Sequence, residues 1–573
     1  MEIVKNRLST CDFIRLYEDA GWGALNESIV EKAIRNSYAT FSLVNNDETI
    51  AMARILSDSA MVYYLKDFVV LSKYQRMGYG TTLIKYIIDY IKEDSPEGAT
   101  SRLEIMSAGG KEPFYKKMNF IKSSGNGMVL SVDHCTERKN IEYKPSFYNI
   151  IVDETPTSKI IFNSVTGAIA QFDNVTYQKI MDPLECSKLE QTSKMNELGF
   201  LVDINDDEWA KLFYDRQCYI FNPNPVTLGF VIAPTLKCNL NCPYCFENDN
   251  RHHNRMSADT VEKTIDYIIR TVNSCPFTKE VYIVWFGGEP CLEVDIIRKI
   301  SKHIIPFLNS KGIKYNSRIT TNGVLLSENV ASILKKECQV NSAQITIDGL
   351  SQNYSIRKKC NEELFFKLIE NIISICEIIS VNIRINIDKD NYKEIPQLLQ
   401  YLLDEKKLNG KININFAQLQ NWNNETDRKY LTGSFYIDFL KSIHHTIIKN
   451  NWTSSFKNKR PFRQVGPCGS MRCTHSTIDP DGFIYRCEHC LGSPEWSIGN
   501  IQDGKIHNKN DMTFLCRNLP AKCSQCQAFP ICAGGCTANE ILHGIPASNC
   551  DIFMEIIKEN VMFAVKSKNI VTH

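Results

Sequence analysis

Short apolar runs alternate with amphipathic stretches through the central part of the chain, from residue 226 to about residue 420. Six of the runs have the length and composition of buried strands: "LGFVIAPTL", "VYIVWFGG", "NSRITTNG", "AQITIDG", "VNIRINID" and "ININFAQL". Strands that are spaced by helical segments are typical of a parallel sheet. The pattern therefore predicts a parallel βα architecture for residues 226–450.

Two smaller α/β patterns precede this region. In residues 1–135, "TFSLVNNDETIAMARIL" predicts a hairpin that turns at "NND", "YYLKDFVVL" predicts a strand and "TTLIKYIIDYIKE" an amphipathic helix. The polar stretch "DHCTERKNIEYKP" then reads as a linker. In residues 146–225, "YNIIVD" and "KIIFNS" predict paired strands, and "LECSKLEQTSKMNELGFLVD" predicts a helix that runs into another strand.

Length and charge narrow the class of protein. A chain of 573 residues, 43% of them hydrophobic, is too long for one core, so three or four domains are expected. With 66 basic and 65 acidic residues, the net charge of +1 gives no general attraction to nucleic acid or anionic membrane. No apolar run approaches the roughly 20 residues of a membrane-spanning helix, and the N-terminus lacks the apolar core of a signal peptide. We expect a soluble, cytoplasmic protein.

The 22 cysteines fall into single positions and two tight groups. Single ones such as Cys186 and Cys338 read as small buried hydrophobes. The groups lie at 238–245 and 468–550, and clustered thiols in a chain without an export signal more often hold metal than form disulfides. The spacing Cys238-x3-Cys242-x2-Cys245 places three thiolates at a strand end. Three thiolates hold three irons of a cubane cluster and leave one iron open, whereas a structural zinc site needs four ligands.

These cysteines, with Tyr244 before the last of them, resemble the signature of the radical S-adenosylmethionine (radical SAM) superfamily. The resemblance implies a partial (β/α)6 barrel, a 4Fe–4S cluster on the three cysteines and a bound SAM, which is cleaved to a 5′-deoxyadenosyl radical that abstracts hydrogen from substrate. The later motifs "WFGGEP", "TTNG", "TIDG" and "RIN" follow in the family order. The implied SAM contacts are Gly287, Gly288, Glu289, Thr321, Asn322, Asp348, Arg357 and Asn386.

The second cysteine group resembles the SPASM domain, a C-terminal extension of radical SAM enzymes that holds two auxiliary 4Fe–4S clusters. We assign this domain to residues 465–560. The resemblance implies two ligand sets: Cys468, Cys473, Cys487 and Cys536 for the first cluster, and Cys523, Cys526, Cys532 and Cys550 for the second. Two four-thiolate zinc sites are the alternative. Cys490 and Cys516 are left over and read as inert thiols. In total the resemblance implies three 4Fe–4S clusters, the auxiliary pair either accepting an electron from a substrate radical or orienting the substrate.

The N-terminal unit resembles the GNAT acetyltransferases. The segment Gln75-Arg76-Met77-Gly78-Tyr79-Gly80 matches the family turn that holds the pyrophosphate of acetyl-coenzyme A, with Gln75, Arg76, Gly78 and Gly80 as the implied contacts. "PFYKKMNF" matches the following family segment, in which Tyr115 would protonate the departing thiolate. No catalytic base is identifiable, so a domain that only binds coenzyme or peptide is the alternative.

Residues 146–225 are similar to the leading region of radical SAM/SPASM peptide maturases, where a winged-helix-like unit binds a precursor peptide by adding a strand to its sheet. A docking or capping subdomain is the alternative. We therefore predict an oxygen-sensitive enzyme that crosslinks or otherwise oxidises a ribosomally made peptide, supplied with electrons by a flavodoxin- or ferredoxin-type donor, with N-acetyltransferase activity as a second function.

The same residues leave three alternative functions. An anaerobic sulfatase-maturating enzyme would share the SPASM pattern. A tRNA-modifying enzyme would combine the same two catalytic domains in the opposite order and show a basic footprint, whereas the only compact basic run is Lys457–Arg463. A redox sensor would need none of the SAM motifs. We expect neither membrane nor nucleic acid as a partner.

Overall fold

The computed structural model describes the chain in two compact units, Met1–Ile141 and Glu142–His573. The described residues are 1–96, 100–107, 110–122, 127–133, 142–182, 184–189, 191–247, 254–420, 431, 433–456 and 461–567. The predicted linker "DHCTERKNIEYKP" and the basic run Lys457–Arg463 lie partly outside them.

The first unit is a seven-stranded sheet with order β1-β2-β3-β4-β5-β7-β6. Its strands are β1 (Glu2–Lys5), β2 (Ala39–Asn45), β3 (Glu48–Ser57), β4 (Val62–Val70), β5 (Thr100–Met106), β6 (Ile121–Lys122) and β7 (Gly127–Asp133). Its helices are α1 (Thr10–Asp19), α2 (Glu27–Arg35), α3 (Tyr79–Asp94) and α4 (Glu112–Lys116).

The predicted hairpin, strand and helix of this unit are confirmed. β2 and β3 pair antiparallel around a turn in which Asn46 and Asp47 adopt positive φ, as short polar side chains tolerate. β4 and β5 pair in parallel only from Val62 to Tyr64. On α3 the buried residues Leu83, Ile84, Ile87 and Ile91 form one apolar stripe against the sheet.

The second unit begins with a small sheet of order β11-β10-β9 and a separate pair β12-β8. The strands are β8 (Tyr143–Pro145), β9 (Asn149–Glu154), β10 (Ser158–Asn163), β11 (Ile169–Asp173) and β12 (Leu201–Asp203). The helices are α5 (Asn174–Met181), α6 (Thr192–Glu197) and α7 (Glu208–Phe221). The paired strands β9 and β10 are confirmed.

The helix predicted for "LECSKLEQTSKMNELGFLVD" is wrong in length. A 3-10 turn at Cys186–Lys188 and the six-residue α6 replace it, and β12 follows. Tertiary contacts interrupt the helix: Cys186 Sγ donates to the Tyr143 carbonyl at 3.0 Å and Ser187 Oγ accepts from the Tyr143 N–H at 2.8 Å. The segment is thereby tied to β8.

Six parallel strands form the centre of this unit, in the order β18-β17-β16-β15-β14-β13. They are β13 (Thr227–Ile232), β14 (Glu280–Trp285), β15 (Lys314–Thr321), β16 (Val340–Thr346), β17 (Ser380–Ile387) and β18 (Ile412–Gln418). The intervening helices are α8 (Ala258–Asn273), α9 (Val294–Ser310), α10 (Glu328–Cys338), α11 (Ser351–Lys358), α12 (Glu363–Ile375), α13 (Ile395–Gln400) and α14 (Ser434–Lys449). All six strands predicted from the apolar runs are confirmed.

The C-terminal elements extend the same sheet. β19 pairs in parallel with β13, and β20 to β22 continue in antiparallel order. They are β19 (Ser476–Ile478), β20 (Phe483–Tyr485), β21 (Gly499–Asn500) and β22 (Gly504–Lys505), followed by α15 (Lys509–Leu515), α16 (Phe529–Cys532), α17 (Thr537–His543) and α18 (Cys550–Lys566).

The parallel register places the chemistry of the central sheet on one edge. Ile232 pairs with Trp285, Trp285 with Ile319 and Thr346 with Arg384. The segments that follow these strands therefore emerge side by side, at the carboxyl edge where parallel sheets bind ligands. Among the described residues, no helix has both the length and the apolar character to cross a membrane.

Candidate functional site

Two glycines bring the end of β14 against the segment that leads into the first cysteine group. A Cβ on Gly287 would lie 2.3 Å from the Thr235 carbonyl oxygen, and one on Gly288 would lie 2.3 Å from that of Lys237. Backbone hydrogen bonds join the same segments, from Gly288 N to Thr235 O at 3.2 Å and from Glu289 N to Lys237 O at 2.8 Å. The glycines are therefore required by close packing of backbone on backbone, directly before Cys238.

Glu289 joins three elements at this edge. Its side chain is fully buried; Oε1 accepts from Thr321 Oγ1 at 2.7 Å and from Cys291 N at 2.9 Å, and Oε2 accepts from Asn322 N at 2.8 Å. Burial raises the pKa of Glu289 although these donors oppose the shift. The carboxylate thus fixes the "TTNG" turn to the "GGE" turn, and one acceptor position remains on Oε2.

Asn322 carries this network to the cysteine loop. Its Nδ2 donates to Asn239 Oδ1 at 2.8 Å and lies 3.8 Å from Cys238 Sγ. The structure therefore brings together Gly287, Glu289 and Asn322 beside Cys238, as the sequence motifs predict.

A second network holds the other side of the loop. The Tyr244 hydroxyl donates to Asp348 Oδ2, Lys358 Nζ donates to the Tyr244 hydroxyl, and Lys358 Nζ lies 3.1 Å from Asp348 Oδ2. Asn386 N donates to Asp348 Oδ1 at 2.8 Å. Burial alone would raise the pKa of Asp348, but the positive charges of Lys358 and Arg357 hold it below its usual value. Asp348 is therefore an ionised, fully paired carboxylate that positions Tyr244.

Arg357 has N–H donors that are not used within this network. Its guanidinium lies 5.4 Å from the Tyr244 ring centre, and Nη1 donates to Asp388 Oδ2 at 2.7 Å. Its Nε and Nη2 are buried and have no hydrogen-bond partner among the described residues. Buried unpartnered donors are rare, and a guanidinium edge fits a carboxylate. The amino-acid end of SAM supplies a carboxylate, so the unpartnered N–H groups of Arg357 fit this cofactor.

The three cysteines themselves lie on the loop between β13 and α8, half-buried, with Cys245 N donating to Cys242 O at 3.2 Å. Within the described ranges, no three His, Cys, Asp or Glu side chains meet closely enough to hold a single metal ion. Thiolates of a cubane cluster each bind a different iron, so they need not converge on one point. The chemistry of the donor set fits an iron–sulfur cluster.

The four cysteines assigned to the second auxiliary cluster are neighbours. Burial raises the pKa of Cys523, and Cys532, Cys526 and Cys550 raise it further in that order. Cys532 is influenced by Cys550 and Cys526 in the same way. These mutual influences place the four thiols near one another, as a four-thiolate centre requires.

The first auxiliary set is brought together in part. Burial raises the pKa of Cys487 well above its ordinary value, and Cys468 contributes; Cys468 in turn is influenced by Cys536. Cys473 Sγ donates to the Asn222 carbonyl at 3.3 Å. Cys490, left over in the sequence, is buried, and burial raises its pKa to about 12, so its thiol is protonated at neutral pH.

In the N-terminal unit, the glycine turn forms the start of α3. Gly78 occupies the N-cap position with φ of 89° and no side chain caps the helix, so backbone N–H groups face outward. Gln75 Nε2 donates to the Val70 carbonyl at 2.9 Å, and Arg76 has φ of 63°. At Gly80 an added Cβ would make only ordinary contacts, the closest with Phe114 and Val70 at 3.5 Å.

Tyr115 lies on α4 and is buried among the rings of Phe68, Phe114 and Phe120, at centroid distances of 6.3, 5.1 and 5.5 Å. Burial raises its pKa above the ordinary value. The hydroxyl is therefore protonated at neutral pH, which is the state a proton donor needs.

Two family models match parts of the chain. Residues 232–402 match the Radical SAM superfamily, and residues 16–135 match the GNAT acetyltransferase domain. The chain therefore contains one segment that matches a radical SAM domain and one that matches a GNAT domain, and the first match implies a 4Fe–4S cluster and SAM.

Among characterised relatives, the radical SAM cyclopropyl synthase TigE of Paramaledivibacter caminithermalis is 24% identical over 456 residues, which cover 70% of this chain and 91% of TigE. A cysteine-type anaerobic sulfatase-maturating enzyme of Clostridium perfringens is 24% identical over 350 residues, 54% of this chain and 88% of the relative. The structure of Streptococcus suis SuiB bound to precursor peptide SuiA covers 71% of this chain and 99% of SuiB, with 17% identity and a TM-score of 0.41.

Sequence reasoning missed several residues of the site. Lys358 follows the predicted Arg357 directly, yet it makes the contact with Tyr244 and Asp348. Asp388 and Asn391 belong to the same hydrogen-bond network. Asn391 Nδ2 donates to the carbonyls of Asp348 and Asn386 at 2.7 and 2.8 Å. The signal available in the sequence was position alone, since each lies within five residues of a predicted contact.

Proposed function

We propose that the chain modifies a ribosomally made peptide by radical SAM chemistry, forming a thioether or carbon–carbon crosslink or a related oxidation. The observation that carries the radical part is the meeting of the "GGE", "TTNG" and "TIDG" turns around the Cys238–Cys245 loop. When bound, the cluster would supply the electron that cleaves SAM to methionine and a 5′-deoxyadenosyl radical. Cys238, Cys242 and Cys245 would hold it.

The chain's own residues would position SAM. Arg357 would pair its free N–H groups with the SAM carboxylate, Glu289 would accept from the SAM ammonium, and Tyr244 would stay fixed through Asp348 and Lys358. A crosslink removes two hydrogens from the peptide: one leaves as a hydrogen atom to the deoxyadenosyl radical, the other as a proton and an electron. We propose the SPASM cysteines as ligands of the two auxiliary clusters that take this electron, and a flavodoxin- or ferredoxin-type protein as the donor for SAM cleavage.

The small sheet in residues 146–225 favours a peptide as substrate. β11 lies at the edge of its sheet, and a cavity of about 720 Å³ runs beside it, lined by Ala170 to Phe172 of β11 and by Leu189, Met195 and Leu198. A sheet edge next to a groove lined by both apolar and polar side chains accepts an extended peptide as an added strand. The charged residues of the lining are Lys179, Lys194 and Glu185, and we expect an acidic side chain of the peptide to contact a lysine of the groove.

The groove is tested by a charge reversal with a matched control. Lys194, which pairs with Glu197, would be changed to Glu; Lys211, which pairs with Asp206 outside the groove, would be changed in the same way. The probe is a fluorescent synthetic peptide from a short reading frame beside the gene, and the measurement is anisotropy. We expect Lys194→Glu to weaken binding several-fold and Lys211→Glu to leave it unchanged; equal effects of the two would remove the groove from the proposal.

The second candidate is oxidation of a Cys or Ser to formylglycine in a sulfatase, favoured by the 24% identity to a sulfatase-maturating enzyme. The two functions differ in substrate and product. A sulfatase peptide that carries the target Cys would be converted by a sulfatase-maturating enzyme and left intact by a maturase of another peptide.

For the N-terminal unit we propose binding of acetyl-coenzyme A at the turn Gln75–Gly80, with Tyr115 as the proton donor to the thiolate and the same peptide or its product as acceptor. Calorimetry with coenzyme A tests the binding. We expect Gly78→Val to abolish it, because a β-branched residue does not tolerate the positive φ at this N-cap, and Tyr115→Phe to keep binding but slow transfer.

A further inference from the structure

One face of α7 packs against two cysteines of the second auxiliary set, Cys523 and Cys526. Trp209, Leu212 and Arg216 are spaced by three and four residues and therefore share that face. The Trp209 ring lies 4.7 Å from the Phe529 ring. Leu212 packs in one cluster with Phe529, Cys523 and Cys526. Arg216, one turn further along, continues this row.

Arg216 is buried without the partners that a charge requires. It is 2% exposed, and its Nε and Nη2 have no hydrogen-bond partner among the described residues. Burial and then the charge of Arg517 lower the pKa of Arg216 to about 10, against the opposing effect of Cys523. The guanidinium is still charged at neutral pH, and a buried unpaired charge is strongly unfavourable. An anion next to the guanidinium would offset this cost.

Arg517 is the second cation at this place. Its side chain is 4% exposed, and Nη1 lies 3.1 Å from Glu540 Oε2. Nη2 donates to the carbonyl of Gly534, between Cys532 and Cys536, while Nε is buried without a partner in the described part of the chain. Two arginines whose charges repel each other therefore both keep unused N–H groups, and each interacts electrostatically with Cys523.

We propose that Arg216 and Arg517 are the cationic partners of the iron–sulfur cluster on Cys523, Cys526, Cys532 and Cys550, and that they raise its reduction potential. The inference rests on the proposed second auxiliary cluster. Reduction by one electron adds a negative charge to a centre that already carries four thiolates. Fixed positive charge and N–H donors to sulfur favour that reduced state. Arg216 and Arg517 are positioning residues, since they act through the cluster.

The assignment links two parts of the unit. α7 follows the small sheet directly in the chain, and its apolar face packs against the cysteine-rich segment. The element that leads from the proposed peptide-binding sheet therefore also supplies a charge to the proposed electron acceptor.

The test uses the full chain with Cys238, Cys242 and Cys245 changed to alanine, so that only auxiliary clusters are reconstituted. Midpoint potentials are measured by dithionite titration followed by electron paramagnetic resonance. With Arg216→Gln we expect one potential to fall by about 59 mV or more, a tenfold change in the one-electron equilibrium, while the other stays unchanged. Arg216→Lys should recover part of the shift. Arg298→Gln, which removes an exposed arginine that pairs with Glu337, should change neither.

Different results would contradict the role of the arginines and the presence of the second auxiliary cluster. If Cys523→Ala loses no iron, the second cluster is absent and the inference falls with the proposed function. If Cys523→Ala loses one cluster but Arg216→Gln keeps both potentials, the cluster stands and the inference is wrong. If Arg216→Gln loses the cluster, the unfolding temperature of the apoprotein is measured instead. A temperature at or above that of the parent chain supports the charge role, because an unpaired buried charge has been removed. A lower temperature overturns it.

Discussion

The substitution Gly287→Ala tests whether the "GGE" turn builds the radical site through backbone contact. Gly287 adopts φ of 110°, and an added Cβ would lie 2.3 Å from Thr235 O and 3.1 Å from Ala233 Cβ. The obstructing atom at 2.3 Å is backbone, so it cannot turn away as a flexible side chain would. The methyl group must displace the segment that runs into Cys238.

Two contributions add to the effect on the free energy of unfolding. Inserting a methyl group into a closely packed place costs about 1–3 kcal/mol. The positive φ adds about 1–2 kcal/mol for a residue with a Cβ. Gly312 separates the two, because it has φ of 66° and open space around its Cβ position. We therefore expect Gly287→Ala to lose roughly 2–5 kcal/mol and Gly312→Ala only the smaller φ contribution, about 1–2 kcal/mol.

Urea unfolding of the two apoproteins gives the comparison, and iron content after reconstitution gives the consequence for the site. Gly287→Ala should also bind less iron than the parent chain, by up to one cluster, whereas Gly312→Ala should bind the same amount. Equal stability of the two variants, with full iron in both, would show that the close approach at Gly287 does not hold the cysteine loop.

Two further predictions concern buried charges. Burial raises the pKa of Asp479 to about 6, although Tyr485, Phe483 and Asp481 donate hydrogen bonds to its carboxyl group. The protonated form therefore adds to the free energy of unfolding in full below pH of about 4, and this contribution is lost as the pH rises through about 6. The total change in the free energy of unfolding is about 3 kcal/mol. In urea titrations of the apoproteins at pH 4 and pH 7, Asp479→Asn should be the less pH-dependent, and an unchanged dependence would contradict the assignment. Lys358→Met should destabilise the chain by about 3–5 kcal/mol because it leaves Asp348 charged and buried, whereas Lys336→Met, at an exposed position of α10, should have little effect; similar losses in both would refute the role of the buried pair.

The central sheet was predictable because a buried parallel strand has a recognisable local sequence pattern. Each of the six strands is an apolar run that ends in small or polar residues, and the motifs at those ends named the contacts around Cys238. What each glycine touches was not predictable. Gly287 and Gly288 face Thr235 and Lys237, about fifty positions earlier, and only the folded sheet brings those carbonyls within reach.

The middle region was less predictable because long-range contacts decide its structure. The helix expected around Cys186 is cut short by hydrogen bonds to Tyr143, more than forty positions away. The buried face of α7 was not predicted, because the charged residue Arg216 lies among its apolar residues and a charge argues against burial. The segment that packs against this face of α7 lies some three hundred positions later in the chain, a relation that no local pattern contains.

The most direct test of the central claim is the mass of a candidate precursor peptide after anaerobic incubation with the reconstituted chain, SAM and dithionite. We predict 5′-deoxyadenosine together with a peptide lighter by one or more pairs of hydrogen atoms, and neither product after Cys242→Ala. SAM cleavage with a peptide of unchanged mass would contradict the peptide assignment and leave only the radical site standing.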